Sequence, residues 1–507
     1  MSLGNLYQPL MRLIVVTLSL FAIFANAQTY NVSKPYTLRG LEYSPLLYHY
    51  HDITAGNANA SFFYPQMDSS FRSTANDDAL LNYRSANNSA FLALSPIIAF
   101  DLRGGNALGD TIKSYEGGLF LRGYKDSIEF WLDARIFSEG HSADNPKSWD
   151  REFLENQGNK GIEGETKYSS YARYRGHFTI RLGWAVLDFA RDAAHWGPGY
   201  YNNLSLNQNS VPFNQITLTT KIGPLSVISL YGDLRVSENS MSTANVASRN
   251  VYGHRYELEL GNTTIGINEL TVLYDLNKPF LFIPIVPLFM EKGQYSEDRN
   301  NGTLSLDLNV NLPLGFRTYG EFLLDDMESP TSLIRNDNIE AKWAFMAGAA
   351  WAGDFETSAG KFKVGTLAEY ARIEPYTFSH FHPYTAQVAH LGYPLGSQAG
   401  ANSQTVDWVV YARRNTPFQM QVKQQWAWKG SDYGSAINDT TPTRDHFKTE
   451  KNFLCAETDE NNNCLRRAKM KYALTPAISY QSTHYAISTE YSFFSQNAFC
   501  ARFMMMW

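Results

Sequence analysis

Apolar and polar residues alternate with a period of two through much of this chain. In residues 303–312, Leu304, Leu306, Leu308, Val310 and Leu312 fall on one face and Thr303, Ser305, Asp307, Asn309 and Asn311 on the other. In 127–137, Ile128, Phe130, Leu132, Ala134 and Ile136 alternate with Glu129, Trp131, Asp133, Arg135 and Phe137. Tyr252, His254, Tyr256, Leu258 and Leu260 alternate in the same way with Gly253, Arg255, Glu257 and Glu259. A strand throws successive side chains to opposite faces, so each run predicts a strand with one apolar and one polar side. Each run is about ten residues long, the length a tilted strand needs to cross a bilayer. Charges on the polar side suit a wet interior better than a packed sandwich core, although a soluble sandwich with solvated outer faces alternates too.

Connection lengths carry the same signal. With 91–103 running outward, 104–110 is an outer loop, 113–124 returns, Lys125-Asp126 is a tight inner turn and 138–167 a long polar outer loop. Residues 168–175 return, Gly176-His177 turn, and 178–191 run outward, which puts 192–215 outside, Gly223-Pro224 inside and 238–249 outside. Further long polar connections are 291–301, 328–337 and 430–466. Short turns on one side and long loops on the other are the habit of outer-membrane barrels, and at about 23 residues per strand and connection there is room for about eighteen strands from residue 91 onward. No internal repeat of fixed period is evident, which argues against a propeller or solenoid. The chain ends with Phe499, Ala501, Phe503, Met505 and Trp507 on one face, a last strand expected to close against the first. The expected fold is all-β, a transmembrane antiparallel β-barrel of about eighteen strands over 91–507.

The start of the chain agrees with export. Arg12, the apolar run 13–24 and Ala25-Asn26-Ala27 read as a signal peptide over 1–27, cleaved after Ala27. The next most apolar run, 280–290, is broken by Pro284 and Pro287. Residues 28–90 do not alternate and carry a weak helix signal around 77–83; they are expected to form an N-terminal periplasmic or plug segment. A content of 44% hydrophobic and 14% aromatic residues excludes a disordered chain, and a formal charge of −6 without a Lys/Arg cluster argues against nucleic acid as a partner.

Candidate chemistry is concentrated at 188–213. His195-Trp196-Gly197-Pro198-Gly199-Tyr200-Tyr201 is a turn that cannot continue a ladder, because Pro lacks the N–H and Gly accepts positive φ. The run from Asn202 and Asn203 to Asn214 is rich in Asn, Gln and Ser. Flat aromatic faces beside paired amide donors and acceptors suit a sugar, and equally suit an ordered loop packed inside a barrel. Cys455 and Cys464 flank an acidic, Asn-rich stretch and are expected to form a loop-closing disulfide in an oxidising compartment, leaving Cys500 over. Glu321, Asp325 and Asp326 have the residue types of a glycosidase pair, but like charges lining a wet lumen require no catalysis. His380 and His382, on one strand face, with Glu369 have the types of a metal site, and a lumen network accounts for them as well. There is no serine-hydrolase elbow, phosphate loop or nucleotide fingerprint. No cofactor, metal or catalytic residue is therefore expected.

Trp196-Gly197-Pro198-Gly199, followed by 203–209 and Val211-Pro212-Phe213, resembles the signature of the Wzi-type capsule-assembly outer-membrane proteins. The segments 253–258, 266–269 (ending in Glu269), 321–326 and 369–376 continue the likeness, with His380 and 395–402. The resemblance runs in order from about residue 90 to 415. It implies a non-enzymatic outer-membrane barrel, with the same strand count and a helical periplasmic plug, that binds surface polysaccharide. It also implies a last strand read by the barrel-assembly machinery. On this reading Trp196, Tyr200, Tyr201, Asn202 and Asn203, with Trp149 and Tyr433 in outer loops, would face capsular or exopolysaccharide. Gly197, Pro198, Gly199, Arg255, Glu269, Glu321, Asp325, Glu369, Arg372 and His380 would form the motif and the lumen lattice. The expected location is the outer membrane of a Gram-negative-type bacterium, in contact with its lipid. A porin-like channel for sugars or other small solutes has every barrel feature in common with this reading.

Overall fold

The computed structural model describes residues 80–105, 110–142, 168–208, 210–235, 249–274, 278–285, 287–288, 300–326, 342–358, 360–380, 387–414, 418–431, 434–435, 453–459, 464–481, 485–494 and 497–506. The signal-peptide segment, most of 28–90, Trp149, His382 and Tyr433 lie outside the described residues.

Eighteen antiparallel strands, from Ala90–Gly105 to Ala498–Met506, make one closed barrel. Each pairs with its neighbour in sequence, and the last returns to the first from Ile97↔Met506 to Gly104↔Phe499. The alternation has a direct physical result. On the first strand Leu92, Leu94, Pro96, Ile98, Phe100 and Leu102 turn to the lipid side, while Ser95, Ala99 and Asp101 are buried on the other. Leu306 and Leu308 stand out to lipid, and Ser305, Asp307 and Asn309 are buried inside. The face assignments at 127–137 hold as well.

The closing edge is clasped by charge. Arg502 on the last strand pairs with Asp101 on the first at 3.1 Å and with Glu116 on the second at 2.9 Å. Arg135 on the third pairs with the same Glu116 at 3.1 Å and with Asp133 at 2.7 Å. The last strand covers only part of the first strand's edge. A nineteenth strand, Leu81–Arg84, takes 91–94 of that edge through a turn held by Ser85 and Asn87. The helix expected around 77–83 is therefore not found at 81–83, where ladder pairing outweighs a weak local preference; 77–79 lie outside the described residues.

One inner turn falls elsewhere than expected. Tyr168–Arg181 runs straight through Gly176-His177, and the chain turns at 182–184, where Gly183 takes a φ of 80°. His177 belongs to the wall, stacked on Trp131 at 4.9 Å and bonded to Asp188 at 2.8 Å. The outer loop expected from residue 138 likewise begins later, because Ile128–His141 continues as strand.

Candidate functional site

The stretch described at 193–208 and 210–212 leaves the strand Ala185–Asp192 at its outer end and folds into the barrel. A bridge between Trp196 and Leu206 folds it into a narrow loop, Trp196 N–H donating to Leu206 O at 3.0 Å. Two glycines are required by space. A Cβ on Gly197, whose φ is 112°, would lie 2.8 Å from Glu321 Oε2, and one on Gly199 would lie 2.8 Å from both Asn203 Oδ1 and Met346 Cε.

Two wall carboxylates hold the loop by its backbone. Glu369 accepts from the N–H groups of Tyr200 (2.8 Å), Tyr201 (3.0 Å) and Asn202 (2.7 Å), from the Asn202 amide (3.1 Å) and from the Tyr319 hydroxyl (3.1 Å). Glu321 accepts from Leu204 N–H (2.7 Å), Ser205 N–H (3.1 Å) and the hydroxyls of Ser205 (2.7 Å) and Ser305 (3.0 Å). Arg317 works in the opposite sense, donating to Pro198 O at 2.7 Å and to the Tyr200 hydroxyl at 2.8 Å. A loop whose backbone would otherwise be unanswered inside a barrel is thereby satisfied from the wall.

A second in-folded stretch, described at 374–380 and 387–402, locks onto the first. Asn207 N–H donates to Leu395 O at 2.7 Å, and Ser397 Oγ donates to Asn202 Oδ1 at 3.0 Å. Asp325 accepts Phe378 N–H at 2.6 Å. Trp196, Tyr200, Leu204 and Leu206 pack with Phe378 and Leu395 of this segment, and with Leu230, Leu270 and Met346 of the wall, in one apolar core inside the barrel. The outer hairpin Cys455–Thr458 and Cys464–Arg467, closed by the Cys455–Cys464 disulfide, ties on through Leu454 N–H to Asn402 Oδ1 at 2.6 Å.

The expected site residues are thus sorted by burial. Trp196 is 1% and Asn203 0% exposed; with Tyr200 and Asn202 they form the inside of the plug and offer no face to a ligand. Tyr201 is only half-buried, with the Lys423 ammonium 3.9 Å from its ring centre. Lys423 also pairs with Asp407 at 3.0 Å, which accepts from Asn202 (3.1 Å) and Gln425 (2.8 Å). Arg255 lies on the lumen side in a closed network with Glu257, Asn268 and Asp307. Glu269 and Arg372 do not line the lumen: period-two geometry turns both outward, Glu269 opposite His254 and Arg372 against Trp343 and Phe453. His380 lies in irregular chain just after the turn 375–378 rather than on a strand. Both Glu369 oxygens are engaged by the loop, and among the described residues no group of three or more His, Cys, Asp or Glu is placed to hold a metal.

Sequence reasoning passed over Arg317, Tyr319, Asp407 and the inward row Gln419, Gln421, Lys423 and Gln425. The last was legible as the polar side of an alternating run whose other side is Phe418, Met420, Val422, Gln424, Trp426 and Trp428. Two plug side chains are perturbed. Burial, with the positive charges of Arg255 and Arg317, pushes His195 from 6.5 down to about 3, and Asn203 donates to its ring at 2.8 Å. Burial, with Asp407 and Glu369 nearby, pushes the Tyr201 phenol well above its ordinary value.

No protein-family model matches the chain, and no curated protein matches it. Among solved structures it is similar to Wzi of Escherichia coli, an outer-membrane protein involved in group 1 capsule assembly and described as a carbohydrate-binding β-barrel. The TM-score is 0.50 at 13% identity, over 81% of this chain and 84% of that one. It is also similar to OccAB1 of Acinetobacter baumannii (TM-score 0.43, 8% identity, 82% of this chain and 95% of that one). OpdK of Pseudomonas aeruginosa matches with TM-score 0.42 and 9% identity, over 82% and 98%. At such identities the likeness shows the fold, that of an outer-membrane β-barrel.

Proposed function

We propose that this barrel holds capsular or other extracellular polysaccharide at the cell surface and makes or breaks no bond in it. The observation that carries the reading is the plug. The described residues of 193–208, 210–212, 374–380 and 387–402 are knit to each other and to the wall through Glu369, Glu321, Arg317 and Asp325, so this side of the barrel is filled with protein. A barrel filled on one side by knit loops is suited to grip a chain at its mouth and less suited to pass one. The carboxylates that resemble a catalytic pair are consumed as backbone anchors, which supports a binding role.

Trp196, Tyr200, Asn202 and Asn203 shape the gripping surface from beneath. The side chains that would touch sugar are those left partly accessible on the plug and beside it: Tyr201, Gln208, Gln398 and Lys423. Aromatic stacking with amide and ammonium hydrogen bonds is the recognition chemistry for a neutral or acidic glycan. Trp149 and Tyr433 are proposed as outer-loop contributors. The chain would reach its place through a cleaved signal peptide and the barrel-assembly machinery. Replacing Tyr201 and Lys423 together by Ala should lower the polysaccharide retained on cells several-fold while barrel abundance is unchanged. Unchanged retention with a normally inserted barrel refutes the assignment.

The channel reading has one observation in its favour. The loops are knit mainly to the wall between Ala185 and Lys429, and across from them Arg103 and Arg175 keep 31% and 24% of their side chains accessible. Ionic current through a reconstituted barrel separates the two readings.

A further inference from the structure

Residues 278–285 and 287–288 belong to an outer connection, yet they pack on the outside of the barrel rather than over its mouth. Their seat is the outward face of the strands Leu225–Leu234, Arg249–Leu260 and Thr263–Tyr274, where Leu281 and Leu288 bury themselves against Tyr252 and Leu273. That face is fixed by its neighbours: Val251, Leu270 and Val272 enter the apolar core within, and Gly253 lies against Trp196. Three hydrogen bonds pin the segment. Lys278 N–H donates to the Tyr252 hydroxyl at 3.1 Å, the Tyr256 hydroxyl donates to Pro284 O at 2.7 Å, and Leu288 N–H donates to Glu269 Oε2 at 3.4 Å.

Two properties suit this segment to hydrocarbon. Several of its backbone donors are answered nearby: Leu281 donates to Lys278 O, Ile283 to Phe280 O and Ile285 to Ile283 O, while Pro279, Pro284 and Pro287 have no N–H to answer. Irregular backbone survives at membrane depth only when its polar groups are paired. Its side away from the wall is also apolar, with Phe280 61%, Ile283 40% and Ile285 78% exposed. In water that would be an association hazard; beside Ile267 and Leu306 it continues the lipid-facing band.

Beneath the segment the wall breaks its own pattern. His254, fully buried, opposes Glu269 across the ladder with Nδ1 3.8 Å from Oε2, and Ser229 and Thr271 are buried beside them. These are polar side chains on the face that elsewhere carries Leu, Ile and Phe. Without a cover they would meet acyl chains.

We propose that residues 278–285 and 287–288 form a strap embedded in the outer leaflet: the acyl layer of the membrane lipid is the partner of its outer side, and its inner side seals the polar patch around His254 and Glu269. The inference stands apart from the glycan reading and does not fall with it. The test uses the full chain carrying Cys500→Ala and Ile285→Cys, labelled with a small environment-sensitive fluorophore and reconstituted in phosphatidylcholine vesicles. Leu306→Cys on the lipid-facing wall and Lys469→Cys, exposed just after the outer hairpin, are the references. The label at 285 should be quenched by spin-labelled phosphatidylcholine as strongly as that at 306, and several-fold less by aqueous iodide than that at 469. Iodide quenching equal to that at 469, in a barrel that keeps its heat-dependent gel mobility, overturns the proposal. Tyr252→Phe with Tyr256→Phe should raise iodide access at 285 several-fold; unchanged access shows that these hydroxyls hold no seal and overturns that half of it.

Discussion

Glu369 is one side chain that answers five donors, three of them consecutive backbone N–H groups, so it fixes the path of the loop at Tyr200–Asn202 more firmly than any sequence preference does. Glu369→Gln replaces one acceptor oxygen by a donor facing those N–H groups, and each buried donor left unanswered costs about 1–3 kcal/mol. Hydrogen exchange at residues 200–202 should accelerate by one or two orders of magnitude while exchange in the wall strands stays slow. Equal rates in the variant and the parent would remove Glu369 from this role. His195 gives a second residue-scale prediction. Its folded value lies below 6.5, so between about 6.5 and about 3 a released loop binds a proton that the packed loop refuses. Packing of the plug is therefore complete above 6.5 and weakens as pH falls through that window. Exchange at 195–203 followed against pH should show this, and His195→Asn should flatten the profile. At this scale the sequence was half legible. The Trp-Gly-Pro-Gly turn stands out because glycine and proline announce a break, whereas the burial of Trp196 depends on Gly253 and Leu270, some sixty residues and more away, which no local pattern encodes.

The strands were the most readable elements, since a period of two survives wherever one face meets lipid and the other a polar interior, as 303–312 and 127–137 show. The inner turn was misread at Gly176-His177 because two small or polar residues can sit in a ladder as readily as in a turn; what decides is His177 stacking on Trp131 and bonding to Asp188, both tertiary. Outward placement of Glu269 was implicit in the alternation, but a carboxylate facing lipid is read as an error until the strap over it is known. The closing edge yields its own prediction. Arg502 joins the last strand to the first two, and removing one partner of a buried charge pair costs about 3–5 kcal/mol. Arg502→Gln should lower by several degrees the temperature at which the folded gel band is lost, with little change in the plug. An unshifted transition would mean that backbone pairing alone holds the seam.

For the whole molecule, barrel and plug form a single packed body. An apolar core of aromatic and aliphatic side chains lies inside the cylinder, where a wide channel would hold water, and wall carboxylates reach into it to hold two loops by their backbones. On the proposed reading, such an interior serves to retain a ligand on the outer surface. The most direct test of that claim is the ionic current through single barrels in a planar bilayer. A plugged holder predicts almost no steady current from the parent protein and intermittent openings from Glu369→Gln with Glu321→Gln. A large, stable current from the parent, unchanged by those substitutions, would contradict the account.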